Sequence, residues 1–242
     1  MQQPNNARNV LLLKAGETSP AVRLRVGDYD GWFARAFHAA GVRVTTVHVA
    51  LGEPLPRKLR AFDAVVMTGS PLSVTQRVPW MDRAEELLLD AEARRMGVLG
   101  VCFGHQLLAH AHGGRVVVSP RGREIGSVAV DLTAAGLEDP LFEGVASRFT
   151  VQTTHADHVP CLPGGATLLA GNAHAPVQAV AYGRHVRGVQ FHPELDAASM
   201  RWVIQARAAS LAERLPTLLA GLSPSPAGPR ILANFLEHFV SS

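Results

Sequence analysis

The feature that most constrains this chain is the segment Gly100-Val101-Cys102-Phe103-Gly104-His105-Gln106, which sets a cysteine between two glycines. The apolar run Met96-Gly97-Val98-Leu99-Gly100-Val101 leads in, and a helix-like stretch as far as His112 leads out. A strand must therefore turn sharply at Cys102 and enter a helix. Such a turn brings neighbouring backbone close, where a Cβ on either flank would clash, and this accounts for the glycines. The turn lifts the sulfur above the sheet edge. It also puts Cys102 at a helix N-terminus, whose partial positive charge favours the reactive thiolate. Taken alone, the same residues also suit an inert cysteine buried at the end of a core strand.

A second segment, Gly188-Val189-Gln190-Phe191-His192-Pro193-Glu194, decides between these readings. A catalytic cysteine needs a base that takes its proton and returns it to a leaving amine, and the base needs an orienting group. His192 and Glu194 stand two residues apart, and in extended chain such side chains share one side. Pro193 restricts His192 to an extended conformation. The α/β-hydrolases also carry a nucleophile elbow, but their acid precedes the histidine. Papain-like proteases have a different local signature around the cysteine.

With these two segments, and with Thr68-Gly69-Ser70-Pro71 and Thr154-His155-Ala156-Asp157, the chain resembles the class I, triad-type glutamine amidotransferases. It is most similar to the amidotransferase domain of GMP synthetase, standing alone. The resemblance runs over roughly residues 9–195 in the family's order. It implies Cys102 as nucleophile, His192 as base and Glu194 as the group that orients it. An oxyanion hole would come from the backbone N–H groups of Phe103 and Ser70. The resemblance also implies that Gly69, Gln106, His155, Ala156 and Asp157 meet glutamine. It implies no cofactor. Two positions depart from the family: Ser70 stands where a glycine usually precedes the proline, and Ala156 replaces the glycine of Ser-His-Gly-Asp. Both bear on glutamine selectivity rather than on the triad. We read His105 as structural, Cys161 as incidental and His158 as a surface residue. The histidines show no metal-ligand spacing, so no metal is expected.

The remaining pattern predicts an α/β fold. Strands are expected at Asn9–Lys14, 42–49, 62–67 and Gly97–Val101, with helices at 28–40 and 80–95 between them. Alternating strands and helices imply βαβ units and a mostly parallel sheet, with ligands beyond the carboxyl ends of the strands. Short strands at 116–118, 126–132, 149–153, 167–170, 177–182 and 186–191 read as an antiparallel second half of the same domain. Residues 196–219 read as helical with a break at Pro216, 223–229 as a linker, and 231–240 as a last amphipathic helix. Residues 1–8 read as a flexible N-terminus, and 9–242 as one domain with a C-terminal helical extension from about 196. The family resemblance implies a three-layer, flavodoxin-like sandwich.

Composition excludes several classes. The net charge of +3 is dispersed, with no basic run or nucleic-acid module. No apolar stretch approaches the roughly 20 residues of a membrane span, and the polar N-terminus carries no secretory leader. Two cysteines are too few for a disulfide framework, and a cytoplasmic, reducing setting is expected. Three readings of function remain open. The first is a glutaminase that supplies ammonia to a synthetase on another chain, since no nucleotide-binding glycine loop follows Glu194. The second is a stand-alone γ-glutamyl hydrolase or peptidase. The third is a non-enzymatic binding protein, which the complete triad disfavours.

Overall fold

The computed structural model describes residues 8–240, so the expected flexible stretch 1–8 lies, apart from Arg8, outside the described residues. Eleven strands are present among them: β1 (Asn9–Lys14), β2 (Arg43–His48), β3 (Ala64–Met67), β4 (Gly97–Val101), β5 (Val117–Val118), β6 (Glu124–Leu132), β7 (Arg148–His155), β8 (Asp157–His158), β9 (Ala166–Gly171), β10 (Ala179–Tyr182) and β11 (Val186–Val189). Nine form one sheet in the order β2-β1-β3-β4-β11-β10-β9-β6-β7, while β5 and β8 pair apart from it. From β2 to β11 every pairing is parallel, and from β11 to β7 every pairing is antiparallel. The second half of the chain thus extends the sheet begun by the first.

Strands buried on both faces read as unbroken apolar runs, and β1, β3 and β4 do so. Their alternate residues feed two separate cores. Val10, Leu12, Val66 and Leu99 face α2 (Tyr29–Ala39) and meet its Phe33 and Phe37. Leu11, Leu13, Val65 and Val98 face the other way, toward α3 (Pro79–Ala93) and α4 (Phe103–Ala111), meeting Leu87, Leu88, Leu107 and Leu108. A sheet between two helical layers results. Each fully buried Leu or Phe contributes about 1.5–3 kcal/mol. Edge strand β2 is less buried, with Val44 packing against one core and Val47 against the other.

The structure corrects several expectations. A short helix α1 (Pro20–Val26) precedes α2, with Val22 buried in a third apolar cluster beside Trp32, Val203 and Ile204. α5 (Ala134–Glu138) follows β6 and was not foreseen. The last strand, expected in the antiparallel half, pairs in parallel with β4 and stops at Val189, and His192 instead joins β7 through a single bridge to Gln152. The C-terminal helical region is divided into α6 (Ala197–Gln205), α7 (Ala208–Leu211) and α8 (Leu215–Ala220). Pro216 does not break it but occupies the first turn of α8, where its missing N–H costs nothing. The breaks fall earlier, around Ala206–Arg207 and at Ala212, whose φ is +44°. The linker is shorter than expected, because the last helix, α9, already begins at Ala227 (Ala227–His238).

Candidate active site

Cys102 sits between β4 and α4 with φ +51° and ψ −98°, a strained backbone for a residue with a Cβ. The flanking glycines are sterically required. A Cβ on Gly100 would stand 2.5 Å from the Gly104 carbonyl oxygen, and one on Gly104 would stand 2.5 Å from that of Met67. The turn is held to the neighbouring strand because the Cys102 N–H donates to Val189 at 2.8 Å. The first N–H groups of α4 have no intrahelical carbonyl partner and surround the thiol with partial positive charge.

Parallel pairing of β4 with β11 brings the distant segment to the thiol. Val101 is opposite Val189, so three further residues carry the chain to His192 at the same sheet end. The imidazole Nδ1 lies 2.6 Å from Glu194 Oε1, and both side chains are essentially excluded from solvent. Burial opposes charging of His192. The Glu194 carboxylate and the adjacent, hydrogen-bonded Cys102 sulfur overcome it, and its pKa is raised to about 10. Tyr29 stacks on the ring at 6.2 Å between centroids. Gly69 lies close to both rings, since a Cβ there would stand 2.6 Å from His192 Cε1 and 3.2 Å from Tyr29 Cε1.

The other expected residues converge on one cavity of about 430 Å³, lined by Ser70, Cys102, Phe103, Gln106, His155, Ala156, Asp157 and His192. Gln106 Nε2 donates to the Asp157 carbonyl at 2.8 Å and to Gln190 Oε1 at 3.1 Å. His155 has both ring nitrogens engaged, by Glu124 at 2.8 Å and the Asp157 carbonyl at 2.9 Å. The Asp157 carboxylate accepts from the Ser73 hydroxyl. Ser70 turns its Oγ away, donating to the Ala15 carbonyl at 2.8 Å. Gly16 makes room for it, since a Cβ there would stand 2.6 Å from that oxygen. Among the described residues the non-glycines with positive φ are Arg95, Cys102 and Ala212, so neither Ser70 nor Ala156 carries left-handed strain. The two departures from the family pattern are therefore accommodated.

His158 is buried rather than on the surface, and burial lowers its pKa. His105 is fully buried beneath Gly188; burial holds its pKa near 3, and it is neutral. Sequence reasoning missed Tyr29, Arg123 and Arg207, which also line the cavity. No local signal marks them, since each arrives from an element remote from both motifs. No group of three or more His, Cys, Asp or Glu residues is arranged to hold a metal ion among the described residues. No helix among them is long and apolar enough to cross a membrane.

The sequence model of the family "Glutamine amidotransferase class-I" matches residues 27–204. The glutamine amidotransferase-like protein YfeJ of Salmonella typhimurium is 38% identical over 179 residues, covering 72% of this chain and 74% of that protein. A glutamine-hydrolysing GMP synthase of Aeropyrum pernix is 38% identical over 173 residues, which are 70% of this chain but only 31% of the synthase. Gamma-glutamyl peptidase 5 of Arabidopsis thaliana is 29% identical over 195 residues, 79% of this chain and 78% of the peptidase. Among solved structures, a glutamine amidotransferase from Thermotoga maritima superposes with a TM-score of 0.78 at 24% identity, covering 97% of this chain and 99% of its own. That likeness supports the fold.

Proposed function

The chain belongs to the class I glutamine amidotransferase family, and we propose that it hydrolyses the side-chain amide of glutamine through a γ-glutamyl thioester, giving glutamate and ammonia. The observation that carries this reading is the strained Cys102 turn beside a buried His192 held at 2.6 Å by Glu194. A thiolate–imidazolium pair supplies both the nucleophile and the proton that the departing nitrogen needs.

Cys102 attacks the side-chain carbonyl carbon, and the oxyanion is received by the backbone N–H groups of Phe103 and Ser70. His192 protonates the nitrogen as the C–N bond breaks. Water then attacks the thioester with His192 as base, and the thiol is regenerated. Glu194 fixes the imidazole tautomer and balances its charge. Gln106 and the backbone of residues 155–157 form the wall that receives the amino-acid end of glutamine. The whole of residues 9–242 serves as one amidotransferase unit, and ammonia passes to a synthetase on a separate chain. The experiment is ammonia release from glutamine by wild type and Cys102→Ala. Release abolished by the substitution supports the reading, and equal release from both proteins refutes it.

A second reading, hydrolysis of γ-glutamyl amines or peptides without a partner, uses the same triad. It is favoured by a further cavity of about 260 Å³ beyond His192, which is larger than ammonia requires. The likeness to gamma-glutamyl peptidase 5 along most of both chains supports it as well.

A further inference from the structure

The cavity holding Cys102 is not a closed cup. A second chamber of about 260 Å³ also borders His192, and the two share Tyr29, Pro71, Thr154, His192 and Arg207. The second chamber is walled largely by apolar side chains, namely Val22, Trp32, Leu195 and Val203. His192 must deliver its proton to the departing nitrogen, so the leaving group lies on the histidine side of the scissile bond. Ammonia needs about the volume of one water, ~30 Å³, and leaves such a chamber mostly empty.

Arg207 stands where the chambers meet. It lies at the break between α6 and α7, half-buried, and among the described residues its guanidinium makes one hydrogen bond, to the Val203 carbonyl at 3.0 Å. No carboxylate among them pairs with it. The nearby chamber wall carries Glu17, but that carboxylate is held by Arg23. Burial and the neighbouring Arg123 lower the pKa of Arg207, while the nearby Tyr29 and the Cys102 sulfur oppose that lowering. A guanidinium with no carboxylate paired to it can bind a ligand carboxylate through two parallel hydrogen bonds.

We propose that the second chamber receives the leaving residue of a γ-glutamyl dipeptide with an apolar C-terminal amino acid, and that Arg207 pairs with the carboxylate of that residue. The inference rests on the second amidohydrolase reading above, hydrolysis of γ-glutamyl amines or peptides, and names its substrate class. Cys102 Sγ bonds to the γ-carbonyl carbon, the C–N bond breaks, and the proton at His192 goes to the departing nitrogen. Water then cleaves the thioester. One dipeptide and one water give glutamate and one free apolar amino acid. Arg207 acts as a specificity-determining residue and takes no part in bond breaking.

The test compares γ-glutamyl-leucine, γ-glutamyl-leucinamide and glutamine with wild type, Arg207→Gln and Arg207→Lys. Wild type is expected to cleave the dipeptide with at least tenfold higher kcat/KM than the leucinamide, which lacks the carboxylate. Arg207→Gln is expected to close that gap, mainly through a higher KM for the dipeptide, and Arg207→Lys to retain part of it. An absent preference in wild type, or a preference that persists in Arg207→Gln, overturns the proposal. Labelling of Cys102 by a γ-diazoketone analogue of glutamine separates the two levels of inference. If glutamine turns over or Cys102 is labelled while the dipeptide is untouched, this proposal falls alone. If none of the three substrates reacts and Cys102 is not labelled, the amidohydrolase reading falls with it.

Discussion

Gly100 and Gly104 flank Cys102, and neither leaves room for a Cβ. Gly104 lies on the Met67 carbonyl, so Gly104→Ala must push α4 off β3. We expect it to cost about 1–3 kcal/mol, the usual range for overpacking, and to lower amidase activity by displacing the thiol. Thermal melts and ammonia release check the two effects. His192 gives a pH signature. Its folded pKa, raised to about 10 by Glu194 and Cys102 against burial, lies above its ordinary 6.5. The stability it contributes is therefore fully present below about 6.5 and is lost as pH rises through about 10. Glu194→Gln removes the carboxylate that opposes the burial. The alkaline loss of stability should then begin at lower pH, and kcat/KM should fall by about 10²–10⁴, the usual worth of acid–base catalysis. Melting temperatures measured from pH 6 to 10.5 distinguish this from a uniform loss of stability, which would leave the profile's shape unchanged.

The elements differ in how far they can be read locally. β1, β3, β4 and α4 carry their own signals, with apolar runs of strand length and glycines at the turn. α1 does not. It is seven residues long, and only Val22 of it is buried, against the cluster around Trp32, Val203 and Ile204. The amphipathic pattern predicts a last helix at 231–240, and the structure shows what the apolar face of α9 does. Ile231 and Phe235 are fully buried in the core beneath the sheet. Gly97 at the start of β4 lets the Phe239 carbonyl pass close by, and Asn234 Nδ2 donates to the Leu141 and Glu143 carbonyls at 2.9 Å each. The helix is thus part of the fold that supports the elbow strand. Phe235→Ala should cost about 3–5 kcal/mol, measurable by urea unfolding. A loss below about 1 kcal/mol would mean that α9 is only loosely docked.

At the scale of the whole molecule, the central pairing of β4 with β11 joins segments almost ninety positions apart and so creates the site. Arg187 on β11 ties this centre to its surroundings. It forms a buried ion pair with Asp139 at 2.9 Å, and its guanidinium lies 4.8 Å from the Phe239 ring centroid. Arg187→Ala leaves a buried carboxylate unpaired and should cost about 3–5 kcal/mol. The double variant Arg187→Leu, Asp139→Leu should recover much of that, and equal losses in single and double variants would contradict it.

The sequence by itself determined the elbow, the His-Pro-Glu segment, the four parallel strands β1 to β4 and the family. Each depends on residues within one turn or one strand of each other, where sterics and periodicity act locally. Tertiary structure alone decided that Ser70 fits because Gly16 yields space, that His155 spends its ring on Glu124, and that His158 is buried. It also decided that Arg207 and Tyr29 stand beside His192. Those outcomes depend on which surfaces meet once β11 pairs with β4 and α6 packs against α1, and no short-range pattern encodes a contact between such distant positions.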